Sequence, residues 1–213
     1  MRRDENDGIA TALRHVYWIG GGSGAGKSTV ARRIVTRYGM SVYSTDDAMS
    51  DHADRSTPES APHLSGFMAM GMDERWVDRS PETMLETFHW FRGEGFGLIV
   101  DDLLRLPAKP SVIAEGFRLL PSLVKPLLAE PRHAVWLLPT PEFRRAAFDR
   151  RGWTIPHKTG NPELAKNNLL ERDRMFTNRL ADETQRLELP AIEVDSAMNE
   201  DDLTGHVTQA FGL

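Results

Sequence analysis

Residues 16–29 read Val16-Tyr17-Trp18-Ile19-Gly20-Gly21-Gly22-Ser23-Gly24-Ala25-Gly26-Lys27-Ser28-Thr29, an apolar β-type run passing into the pattern G-x-x-x-x-G-K-[ST]. The spacing has a physical cause. Glycines let successive backbone N–H groups turn inward around the α- and β-phosphates of a nucleotide, a lysine reaches the β- and γ-phosphates, and the following hydroxyl ligates Mg²⁺. Gly21, Gly22, Ser23, Gly24, Ala25, Gly26, Lys27, Ser28 and Thr29 are therefore the expected nucleotide cradle, with ATP as the donor because no N-K-x-D guanine motif is present. From Lys27 to Tyr38 the apolar residues Val30, Ala31, Ile34 and Val35 recur at helical spacing against Arg32, Arg33 and Arg37. A helix there presents its positive N-terminal end to the anion.

Outward from the loop, the chain alternates. Gly39 stops the first helix, and Ser41-Val42-Tyr43-Ser44 gives a second strand that ends in Thr45-Asp46-Asp47. Residues 48–79 have no clean period and include Met68, Met70, Met72 and Trp76, which suits an adaptable segment over a substrate. Ser80-Pro81-Glu82 has the chemistry of a helix start, and apolar spacing predicts one helix over 81–106, weakened by Gly93, Gly95 and Gly97. Within it, Leu98-Ile99-Val100-Asp101-Asp102 imitates a metal-binding strand end, but its register is helical. Ser111-Val112-Ile113-Ala114 is the better third strand, followed by Glu115-Gly116. A helix is expected over 119–128 and strands at 133–138 and 190–194. Further helices follow Thr140-Pro141-Glu142, Asn161-Pro162-Glu163 and Asn199. Such alternation argues for a parallel sheet covered on both faces, with ligands at the carboxyl ends of its strands.

Composition narrows the classes. The chain of 213 residues suits one α/β domain over 15–213, preceded by a polar segment, 1–14, expected to fray. There is no cysteine, so disulfides and cysteine zinc sites are excluded. A net charge of −5 argues against general nucleic-acid binding, which requires a basic excess. No apolar run approaches a membrane span and no leader pattern is present, so the expectation is a soluble, cytoplasmic monomer or homodimer.

With a phosphate loop, a carboxylate after strand two, an acid after strand three and an arginine-rich hairpin after strand four, the chain resembles the P-loop kinases. Its resemblance lies with the small-molecule and nucleoside monophosphate kinases, including those acting on shikimate, gluconate and chloramphenicol. That resemblance implies a three-layer α/β fold with a five-stranded parallel sheet in the order 2-3-1-4-5 and helices on both faces. It also implies a segment at 48–79 that closes on the acceptor, and a mobile lid at 144–179. It implies an ATP- and Mg²⁺-dependent transfer to a small-molecule hydroxyl or phosphate. Alternatives are a nucleoside monophosphate kinase, a nucleotide-switch ATPase and a kinase-like toxin.

Within that frame Lys27 holds the transferred phosphoryl group and Asp46 orients the acceptor. Asp47 competes for that role, or the pair caps a helix. Ser28, Asp46 and Glu115 would hold Mg²⁺, although Glu115 could equally serve a salt bridge or cap. Arg150 and Arg172 are the leading lid arginines among Arg144, Arg145, Arg150, Arg151, Arg172, Arg174 and Arg179, some of which must be surface ion pairs. Arg55 and Arg118 either bind an anionic acceptor, with Glu115 nearby, or lie on helix surfaces.

Overall fold

Parallel strands need long crossovers, and the chain supplies them as helices. The computed structural model describes the backbone of residues 2–213 and the side chains of 7–213. Its elements run α1 (Arg2–Ala12), β1 (Val16–Gly21), α2 (Lys27–Tyr38), β2 (Ser41–Ser44), α3 (Met49–Arg55), α4 (Pro62–Ala69), α5 (Met72–Trp76), α6 (Pro81–Thr87) and α7 (Phe96–Arg105). They continue with β3 (Val112–Glu115), α8 (Pro121–Val124), β4 (Ala134–Pro139), α9 (Pro141–Arg151), α10 (Pro162–Arg186), β5 (Ala191–Val194) and α11 (Glu200–Phe211). The five strands are all parallel and lie in the order β2-β3-β1-β4-β5.

Strand alternation divides the core into two layers. Val16 and Trp18 of β1, Val112 and Ala114 of β3, and Ala134 and Trp136 of β4 face one way, against Ile99 and Leu103 of α7 and Phe176 and Leu180 of α10. Ile19, Ile113, Val135 and Leu137 face the other way, against Val30, Ala31 and Ile34 of α2 and Leu203, Val207 and Phe211 of α11. Every interior strand reads as near-continuous apolar sequence because both of its faces are covered. Trp136 is fully buried and still satisfies its indole N–H, which donates to the Leu119 carbonyl at 2.8 Å. Truncating such a side chain costs about 3–5 kcal/mol.

Several expectations change. The single helix over 81–106 is divided into α6, a 3₁₀ turn at His89–Arg92 and α7, because Gly93 and Gly95 sit at φ 82° and 73°. That left-handed backbone is incompatible with continuing a right-handed helix. The helix over 119–128 shrinks to α8 and a 3₁₀ turn at Lys125–Leu127. The aperiodic stretch 48–79 holds three short helices, α3 to α5. The expected frayed segment falls partly on residues 1–6, whose side chains lie outside the described residues. The backbone of Arg2–Ala12 is helical, and Leu13 after it is buried in the core. Among the described residues no helix is long and apolar enough to cross a membrane.

Candidate active site

The phosphate loop joins β1 to α2, and its first turn is held to β4 by Gly22 N–H donating to the Leu137 carbonyl at 3.0 Å. Gly24 and Gly26 lie at φ 79° and 85°, so the loop takes a path that residues with a Cβ resist. Gly26 is followed directly by the N-terminus of α2, which has no side-chain cap. The first N–H groups of that helix are thus left for an anion. Lys27 is buried and its Nζ donates to the Gly22 carbonyl at 2.7 Å. Desolvation lowers the Lys27 pKa, while the charges of Asp46 and Glu115 oppose that shift.

Sheet register gathers the acids. Ser44, Glu115 and Ile19 stand at one level across β2, β3 and β1, so Glu115 emerges beside the start of the loop. Glu115 is 2% exposed and its Oε2 has no partner. Burial raises its pKa, with Lys27 and the Ser28 and Ser44 hydroxyls acting in the opposite sense. A buried carboxylate oxygen of this kind is costly unless something satisfies it, and it fits a hydrated Mg²⁺ shared with Ser28. Asp46 follows β2 with its side chain open to solvent at the cleft mouth. The cleft walls still raise its pKa by removing part of its hydration, against the pull of Lys27 and Arg118. Asp47 is exposed too.

Arg118 is buried, not on a helix surface. Its guanidinium lies 3.9 Å from the Trp90 ring centroid and donates to the carbonyls of Thr45, at 3.2 Å, and Gly95. It thereby fixes the turn that carries Asp46. Desolvation lowers its pKa to about 10. Arg55 goes elsewhere: it pairs with Asp51 at 2.8 Å and Asp102 at 3.1 Å on α3 and α7. Asp102 also accepts from Tyr43 and bonds His52, so the strand-like acid pair Asp101-Asp102 belongs to a helix and its inner member ties α7 to β2 and α3. Desolvation alone would raise Asp102, but the bonds from His52, Arg55 and Tyr43 outweigh it and hold the carboxyl low.

The arginine-rich hairpin separates into three sets. Arg174 pairs with Glu171 and Arg179 with Glu86, as ordinary surface ion pairs. Arg150 and Arg151 are exposed in the last turn of α9 and line a hollow of about 500 Å³ with Gly24, Gly26, Thr29 and Asn199. Arg144 and Arg172, both buried, grip Asp173 from two sides, Arg172 Nε donating to Oδ1 at 2.6 Å. Arg172 also lies over the rings of Trp76, Phe88 and Phe91 at 5.2, 4.8 and 5.1 Å. Sequence reasoning missed Asp173 as the center of this group. Its signal was a carboxylate on the buried stripe Ala165, Leu169, Phe176 and Leu180 of α10.

Next to the loop lies a second cavity, of about 300 Å³, whose wall includes Ser23, Met49, Phe67, Trp76, Phe88 and Phe117. The 152–161 connection covers it: Trp153 stacks on Phe148 at 4.8 Å, and Gly160 N–H donates to Asp73 at 2.7 Å. Residues of the 48–79 segment and of the hairpin therefore line one chamber. Two cavities flank the phosphate loop, one bordered by Arg150 and Arg151 and one by aromatic rings.

No family model and no curated protein matches the sequence. Among solved structures, one of deoxyadenosine kinase from M. mycoides with bound dATP is similar over 93% of this chain and 100% of that one, with a TM-score of 0.50 and 12% identity. An uncharacterized protein from Eubacterium ventriosum ATCC 27560 is similar over 92% of this chain and 97% of that chain, with a TM-score of 0.48 and 14% identity. The likeness to the first is one of fold. Together with the all-parallel 2-3-1-4-5 sheet it makes this an α/β P-loop kinase fold.

Proposed function

We propose that the protein transfers the γ-phosphoryl group of ATP to a hydroxyl of a small-molecule acceptor, with Mg²⁺. The observation that carries this is the meeting of Lys27, Glu115 and Asp46 at the strand ends, between a hollow suited to a nucleotide and a separate chamber suited to an acceptor. A fold alone hosts many chemistries, so the site must bear the claim. The loop N–H groups and Lys27 hold the phosphates, and Arg150 and Arg151 border the nucleotide side. Ser28 and Glu115, with Asp46 in reach, would hold Mg²⁺, which supplies charge neutralization at the phosphates. The acceptor oxygen forms its bond to the γ-phosphorus as the bond to ADP breaks, and Asp46 takes the hydroxyl proton. Positioning and charge stabilization dominate such transfers, so a carboxylate needs only modest basicity. Arg144 and Arg172, fixed by Asp173, face the group in flight, and the 152–161 connection acts as a lid that opens between turnovers.

The switch-ATPase alternative is weakened by the placement of Asp101 and Asp102 on α7. Phosphorus NMR of ATP consumption, with and without an acceptor library, tests the proposal. A kinase consumes ATP only with an acceptor present. Lys27→Ala should lower transfer at least a hundredfold, as removal of a charge stabilizer worth about 3–4 kcal/mol does, with the circular dichroism unchanged. Acceptor-independent hydrolysis, or full transfer by Lys27→Ala, would refute it.

A further inference from the structure

The chamber beside Ser23 is walled by phenyl and indole rings, and among the described residues each of them except Phe117 has a cation over it. Arg75 lies 4.6 Å from the centroid of Phe67, Arg118 3.9 Å from that of Trp90, Arg144 4.8 Å from that of Phe148 and Lys166 5.0 Å from that of Trp153. Arg172 covers Trp76, Phe88 and Phe91. Arg75, Arg118 and Lys166 stand outside the wall and back its rings from the far side. A cation on one face of a ring draws π density toward itself, so the face left to a ligand is a poor seat for a second cation.

Counter-charge is short around this chamber. Lys166 has Asp149 at 3.3 Å, but Arg75 and Arg118 donate to backbone carbonyls and are ion-paired with no carboxylate among the described residues. In the wall itself the two guanidinium charges of Arg144 and Arg172 face one carboxylate, Asp173, which leaves a formal charge of +1. Both Asp173 oxygens are taken, Oδ1 by Arg172 and Oδ2 by Arg144. Arg172 Nη1 and Arg144 Nε remain buried without a partner, a costly state that added negative charge relieves. His89 in the same wall registers the field: burial and the charges of Arg118, Arg172 and Arg75 lower its pKa to about 3, so it adds no positive charge of its own. The two wall arginines are not equivalent. Arg144 packs against the phosphate loop, its Cγ 3.6 Å from the position a Cβ on Gly24 would take, whereas Arg172 lies among three rings.

Resting on the phosphotransfer reading, we infer that the acceptor is a planar hydroxy acid of one negative charge, with its hydroxyl toward Ser23 and Met49 and its carboxylate in the field of Arg172. A single uncompensated positive charge in the wall matches a carboxylate better than a phosphate dianion. The volume of about 300 Å³ sits at the lower end of small-molecule sites and suits a body of one or two rings. Met49 marks the reacting end, because its N–H donates to the Asp46 carbonyl at 3.3 Å. Arg172 then serves the acceptor as well as the transferred group, which makes it a specificity-determining residue.

Isothermal titration of the full chain saturated with ADP·Mg²⁺ tests this with probes of one shape and different charge. They are 4-(hydroxymethyl)benzoate, the neutral 4-(hydroxymethyl)benzamide, the cationic 4-(aminomethyl)benzyl alcohol and the dianionic 4-(hydroxymethyl)phenyl phosphate, with gluconate as a carboxylate on a non-planar body. The benzoate should bind about tenfold more tightly than the amide, and the amine more weakly than the amide. Amide or amine binding as tight as that of the benzoate overturns the charge preference without any variant. Tighter binding of the phosphate than of the benzoate overturns the carboxylate, and tighter binding of gluconate overturns the planar body. Arg172→Met should cut the benzoate-to-amide preference to about threefold or less, and an unchanged ratio in the folded variant overturns the role of Arg172. Arg75→Met, behind Phe67 and outside the transfer machinery, should lower the same ratio about threefold. An unchanged ratio there overturns the backing of the rings by cations, whether or not Arg172→Met folds. Failure of ADP·Mg²⁺ itself to bind strikes the phosphotransfer reading instead, and the same titrations without nucleotide then read the chamber alone.

Discussion

Replacing Asp173 with asparagine removes one negative charge and almost no volume. The structure makes the consequence large. The Arg144 and Arg172 side chains are 4% and 7% exposed, and Asp173 is the acidic partner of both. Breaking a buried pair by removing one member costs about 3–5 kcal/mol, because the other charge stays desolvated. Two guanidinium groups depend on this carboxylate, so Asp173→Asn belongs at the upper end of that range. For a chain of this size the loss is roughly 6–20 °C in Tm. Urea unfolding followed by tryptophan fluorescence, with thermal circular dichroism, measures it. A companion variant, Arg144→Met/Asp173→Leu/Arg172→Met, removes all three charges together. Buried triads replaced by apolar residues are often no less stable, so it should recover most of the loss, to within about 2 kcal/mol of the wild type. Transfer should nonetheless be lost, since neither Arg144 nor Arg172 remains to face the transferred group. An Asp173→Asn protein within about 1 kcal/mol of wild type would refute the placement of a single carboxylate between two buried cations. A companion variant that keeps turnover would refute their role in transfer.

Asp46→Asn should abolish transfer while ADP·Mg²⁺ affinity, measured by titration, stays within about threefold; Asp47→Asn should be mild, and the reverse pattern moves the acceptor role one residue along. Glu115 and Asp46 both titrate above their ordinary range in the folded protein, so folding takes up protons between the ordinary carboxylate pKa and the raised values. The contribution of these two groups to stability without Mg²⁺ is therefore fully present below that window and is lost as pH rises through it. Glu115→Gln should flatten the fall in thermal scans from about pH 3.5 to 7, and it should raise the Mg²⁺ concentration needed for nucleotide binding. A steeper fall in the variant would reverse the sign of the burial effect on Glu115.

Local chemistry made much of this protein legible from its residues in order. The loop from Gly21 to Thr29 declares itself because phosphate binding depends on consecutive backbone positions, and α2 follows at the spacing of Val30, Ala31 and Ile34. The strands β1, β3 and β4 were evident because burial on both faces leaves continuous apolar runs. Their order follows from the family resemblance, and the structure bears it out. The break in the helix over 81–106 was signaled by its glycines, yet the apolar period ran across it and suggested continuity. Pairings between distant residues needed the tertiary structure. Arg118 looks like any arginine after a strand until Trp90, Thr45 and Gly95 are folded around it, from 28, 73 and 23 residues away. Arg55 and Arg172 are equivalent as sequence, but Asp102 draws one to the surface and Asp173 holds the other inside the chamber. The aromatic rings packed about His89 come together only in the assembled core. Charge and periodicity act between neighbors along the chain, whereas burial and counter-charge are properties of the assembled core.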